Sequence, residues 1–226
     1  MSEVPKHLTY LAPSPLPPID DAQRAEARAN PGRTITYYDP NQPADGPLSS
    51  MNAFGWRGVD ADGNFTGSEE RNREIVPHPD TIGHKITCKL DMLVWRLANG
   101  FVPVIDLVHA LYKQVLNVKG DPRGGDELLL TRAGDTTELD VWSAGMWIPE
   151  DCKHVVGVAG ADVIEILGRG AELTLCFNRD GGPALRVSAQ LLSEAADEAA
   201  LDAIERTTKL APVPAEFTTT GTIGAQ

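Results

Sequence analysis

From His84 to Ser188 the chain is a succession of short apolar runs cut by Gly, Asp, Asn and Pro, and nothing else in it narrows the possible folds as much. KITCKLDMLVWRL (85–97) leads through Asn99-Gly100 into FVPVIDLV, and YKQVLNV (112–118), ELLLT (127–131) and TELDVWS (137–143) follow. MWI, KHVVGV, DVIEIL, AELTLCF and ALRVSA close the series, separated by PEDC, AGA, GRG and NRDGG. Short β-branched runs punctuated in this way predict strands of a sandwich or closed barrel rather than βαβ units. One stretch reads two ways, because VIDLVHALYKQVL also places its apolar residues at helical spacing.

The flanks differ from this middle. Eleven of the 17 prolines fall within residues 1–80, and proline removes a backbone donor and fixes φ. Residues 1–83 therefore read as an extended arm, with a short helix at 20–29 and a turn at 60–64. Tyr37, Tyr38, Phe54 and Trp56 give that arm aromatic surface to bury against its own barrel or a neighbouring subunit. The C-terminal unit, 189–211, holds a helix over 190–210, with acids in its first turns and Arg206 and Lys209 near its end. Residues 212–226 read as a loose tail.

A formal charge of −12 argues against a nucleic-acid backbone and against anionic membrane surfaces as partners. No run of 18 apolar residues and no signal-type leader is present, and the three cysteines form no CxxC pair. These features fit a cytoplasmic setting.

Two stretches have motif spacing. Gly100 is followed by five residues and then Asp106, Val108, Lys113 and Gly120, while Pro149-Glu150-Asp151-Cys152-Lys153-His154 runs from a proline to a histidine. The spacing resembles the two motifs of the cupin superfamily over roughly residues 84–178. The resemblance implies an all-β fold, a single cupin-like barrel (double-stranded β-helix) over 84–188 that pairs as a homodimer. In that family the first motif supplies two histidines and a glutamate, where this chain has Asp106, Val108 and Lys113. Valine offers no donor and an ammonium repels a cation, so no metal and no other cofactor is expected. His109, His78 and His84 are the places to look for a missing ligand if a metal were bound.

The resemblance makes His154 and Asp106 a candidate acid–base pair inside the barrel. Lys113, Trp95 and Trp147 become candidate substrate-binding residues. It implies a small-molecule enzyme of the isomerase, epimerase or lyase kind. A non-catalytic small-molecule-binding or assembly protein is the alternative, and a metal-dependent oxygenase the third. The same residues also admit a structural reading, with His154 at a strand end and Asp106 paired to Lys113.

Overall fold

The computed structural model describes residues 9–43, 49–125, 127–168 and 172–210, with side chains as far as residue 200. The fold is mixed α/β, built on two open sheets, and the expected all-β barrel is not formed.

The first sheet, A, lies in the stretch read as an extended arm. Strands β1 (Thr34–Tyr38), β2 (Ala53–Val59) and β3 (Phe65–Arg71) pair antiparallel in chain order. The prolines of this region lie outside the strands, so the pairing loses no donors. Helix α1 (Asp21–Ala29) precedes them, with Asp20 as N-cap accepting from the Gln23 amide. Ala27 of α1 packs on Ile35 and Val59, flanked by Tyr37 and Phe65, in a core of its own.

The second sheet, B, has β4 (Val115–Lys119), β5 (Leu130–Ala133), β6 (Thr136–Trp142), β7 (Val155–Ala159), β8 (Leu173–Phe177) and β9 (Leu185–Ser188). Its spatial order is β7-β4-β6-β8-β9, with β5 paired to the start of β6, and only β6 and β8 run parallel. Leu116, Val118, Leu139, Val141, Leu175, Phe177, Leu185 and Val187 point to one face and are buried there.

Helices cover that face: α3 (Lys89–Ala98), α4 (Val104–Leu111), α5 (Gly160–Gly168) and α6 (Ala189–Leu210), while the short α2 (Pro79–Ile82) lies before α3. Three of these occupy runs expected to be strands. In α3 the buried apolar residues are Leu90, Val94, Trp95 and Leu97; in α4 they are Val104, Ile105, Leu107, Val108 and Leu111. Both sets make a helical stripe. In α5, Val163, Ile164 and Leu167 do the same. These segments supply the second layer that sheet B needs, which a barrel would have obtained by closing on itself. No helix among the described residues is long and apolar enough to cross a membrane.

The halves are joined at Gly100. Its φ of +73° suits glycine, and a Cβ there would come within 2.3 Å of the Pro13 carbonyl, so residues 9–16 can cross directly over it. The Gly100 carbonyl accepts from Arg71 at 2.7 Å, the Val104 amide donates to Thr9 O at 2.9 Å, and Phe54 meets Phe101 edge-on.

Candidate functional site

The site begins with alternation on β6. Leu139 and Val141 point to the helices, so Glu138, Asp140 and Trp142 point to the other face of sheet B. On a solvated face these residues would be exposed, yet they are 0%, 5% and 2% exposed. Cations from neighbouring strands enclose the two acids. Arg179, just after β8, binds Asp140 at 2.7 Å and also Glu138; Arg186 on β9 binds Glu138; Lys119 at the end of β4 lies 3.6 Å from Asp140. The register sets Asp140 beside Cys176, and Cys176 beside Arg186, in one row across three strands.

Burial would lower the Arg179 pKa, but the hydrogen bond and charge of Asp140 raise it, so the guanidinium is firmly charged. Burial pushes the Cys176 thiol up, and the nearby Arg179 only partly opposes this. Removing one member of such a set leaves an uncompensated buried charge.

The loop from Ser143 to Lys153 leaves β6, turns through a 3-10 segment at Gly145–Trp147 and returns to β7. Asp91, in the first turn of α3 and fully buried, anchors it. The Asp91 carboxylate accepts from the Thr87 amide at 2.8 Å, the Thr87 hydroxyl at 2.6 Å, Trp147 Nε1 at 3.1 Å and the Ser143 hydroxyl. Burial would raise its pKa, but these donors outweigh that and hold it below the usual carboxylate range. Trp147 lies against Gly182, whose φ is +72° and where a Cβ would sit 2.7 Å from the indole.

Between this loop and the outer end of β4 and β6 lies a cleft of about 580 Å³, lined by Lys119, Asp140, Trp142, Pro149, Lys153 and His154 among others. His154 fits because residue 120 is glycine: a Cβ there would lie 2.4 Å from its ring. Its Nε2 donates to the Gly125 carbonyl at 2.8 Å, which puts the proton on Nε2 and leaves Nδ1 as the basic atom of the neutral ring.

Of the residues singled out from the sequence, His154 lines the cleft; Asp106, Lys113, Trp95 and Trp147 do not. Asp106 sits in the first turn of α4, 3.8 Å from Arg73. Burial raises its pKa, moderated by Arg73 and His109. Its charged neighbours are thus Arg73, Glu74 and His109, whereas His154 acts on Asp121, which Arg123 holds at about 2. The structure does not bring Asp106 and His154 together, because Asp106 belongs to a helix rather than a barrel strand. Lys113 is exposed after α4 and makes no ion pair with Asp106. Trp95 stacks on Phe101 in the core, and Trp147 is the loop anchor. His78 caps α2 and His84 borders a second, small pocket beside Trp95. Among the described residues no group of three or more His, Cys, Asp and Glu is placed to hold a metal.

Sequence reading missed Glu138, Asp140, Lys119, Arg179, Arg186 and Asp91. A signal existed in TELDVW, where two acids alternate with apolar residues inside a strand.

Trp142 is distinctive. Trp56 donates to Glu70 at 2.8 Å, Trp95 to the Ile82 carbonyl at 3.2 Å and Trp147 to Asp91. Trp142 Nε1 is buried with no acceptor among the described residues.

Fold and site together define a mixed-sheet α/β protein with a charged cleft on the sheet face away from its helices. Compared with family models, curated proteins and solved structures, the chain matches none.

Proposed function

We propose that the chain is a non-catalytic binding protein that takes a small anionic molecule, carrying a carboxylate or phosphate group, in the cleft beside β6. The observation that carries this reading is the buried Trp142 N–H. Leaving such a donor unpaired costs about 1–3 kcal/mol, and an acceptor on a ligand would recover it. Lys119 supplies the charge. Its 3.6 Å contact with Asp140 is looser than the 2.7 Å contact of Arg179 with the same carboxylate, so Lys119 can turn to a ligand without stranding Asp140. The charged lining of the cleft sets Lys119 and Lys153 against Asp140, Asp151 and Asp180, so an incoming negative charge relies on the two lysines locally and not on a surplus of cations. Isomerase or lyase chemistry has less support, since among the described residues His154 makes no hydrogen bond to a carboxylate and its Nε2 is held by the Gly125 carbonyl.

Titration of the protein with inorganic phosphate, acetate and succinate, followed through the indole N–H resonances, tests the reading. The Trp142 resonance should move saturably with at least one of them while that of Trp56 stays. Lys119→Met should weaken the response about tenfold, the worth of one charge-assisted hydrogen bond. A Trp142 signal indifferent to all three would remove the anionic ligand.

A further inference from the structure

Sheet B ends on two strands. β9 carries Arg186 and lies beside α3, but β7 carries only Val155, Val156, Gly157, Val158 and Ala159, with no charge and no proline to guard it. The hydrogen-bond phase shows which groups on β7 are open. Gly120 N–H donates to the His154 carbonyl and Gly160 N–H to the Gln114 carbonyl. With the register Val118–Val156 and Leu116–Val158, the even-numbered residues of β7 bond to β4. Val155, Gly157 and Ala159 therefore direct their N–H and C=O groups away from the sheet, and no described strand receives them. Beside them the outward sheet face has Val115, paired to Ala159 and 71% exposed, then Asn117 opposite Gly157 and Lys119 opposite Val155, and Gly157 and Ala159 are exposed as well.

We propose that β7 pairs antiparallel with β7 of a second copy of this chain, about a two-fold axis at Gly157, joining the two B sheets into one. The pairing sets Gly157 against itself, where a larger residue would face its own copy, and Val155 against Ala159. Charge complementarity selects a second copy over an unrelated strand. The exposed Lys153 just before β7 comes alongside the start of α5 in the other copy, where Asp162 is exposed, and symmetry makes this pair twice. Neither residue has an ion-pair partner among the described residues. The chain's charge of −12 opposes association, but at about 0.1 M salt its field is screened beyond roughly 10 Å, and the paired strands are uncharged. The strand pairing stands apart from the cleft, with which it shares only Lys153.

Sedimentation equilibrium of the full chain over a range of concentrations tests the proposal. The expected species has the mass of two chains of 24.3 kDa each. Ala159→Lys should shift it to monomer, and Val115→Lys, a change at an exposed position, should do the same if the first variant folds poorly. Lys153→Asp and Asp162→Lys should each weaken the dimer about tenfold, and the double exchange should restore it, since opposite charges would face each other again. A monomer at every concentration overturns the proposal. So does a dimer that none of these changes affects, because association would then use another surface.

Discussion

The two sheets solve the same problem with unequal means. Sheet A has three strands and one short helix, and its core is Ala27, Ile35 and Val59 with Tyr37 and Phe65 at the margin. Arg57 completes it: the guanidinium lies over Tyr37, binds Glu69 at 2.9 Å and donates to the Pro17 carbonyl at 2.7 Å. Sheet B has four helices over one face, and its interior runs from Ile75 to Ala199. Its other face is free to hold Glu138, Asp140 and Trp142, groups that cost stability to bury. The difference teaches where a site can be placed. Only the half with a large apolar surplus can carry an enclosed charge ladder and an unpaired indole N–H, so the candidate site lies there.

The largest effects should follow the cores. Leu175→Ala, at a fully buried position of β8, should cost about 4 kcal/mol in denaturant unfolding, whereas Ile35→Ala in β1 should cost about 2, because the small core around it can collapse into the cavity. Both variants should unfold in one transition, since Phe54, Arg71 and residues 9–16 tie the halves together. Two separated transitions would show sheet A to be an independent unit and would break the comparison.

Next comes the anchor of the cleft loop. Asp91→Ala strands the Trp147 N–H and leaves the Ser143 hydroxyl with Asn178 alone, and should cost about 2 kcal/mol. The Trp147 indole resonance should move while that of Trp56, on sheet A, stays. The acid limb follows from the same group. Its folded pKa is depressed, so its contribution is complete above the unfolded carboxylate value of about 3.9 and disappears as pH falls through the lower folded value. Asp91→Asn should flatten stability against pH in that range. An unchanged acid limb would mean that Asp91 does not carry the pH dependence.

The smallest effect sharpens the comparison from the other side. Arg57→Ala should cost about 1–2 kcal/mol, and Arg57→Lys should recover little of it, because the guanidinium makes a stacked, multidentate set that an ammonium cannot reproduce. Full recovery by lysine would reduce the role of Arg57 to charge alone.

Much of the strand inventory was legible. TELDVWS, KHVVGV, AELTLCF and ALRVSA mark β6 to β9 within a few residues, and Asp20 with the run after it marks α1. The site was legible only in part. His154 lines the cleft, but its expected partner Asp106 was assigned to a strand and lies elsewhere, and the ladder on β6 is assembled from residues up to 67 positions apart, Lys119 to Arg186. A cation 39 residues away from its carboxylate, as Arg179 is from Asp140, leaves no local trace.

By itself the sequence determined where the chain turns and where its apolar runs lie, since Gly, Pro and capping residues act on their immediate neighbours. It also marked residues 190–210 as a helix, because cations late in the run and a spaced apolar stripe favour that structure, although no acid falls in the first turn. Tertiary structure decided whether KLDMLVWRLA, VIDLVHAL and GADVIEILG would be strands or helices. Their apolar residues suit either period, and the open inner face of sheet B stabilises the helical alternative by burying it. It likewise decided that the prolines of the first 80 residues would bound strands rather than prevent them. Proline forbids a ladder bond only at its own position, and where the neighbouring strand passes is settled by the whole fold.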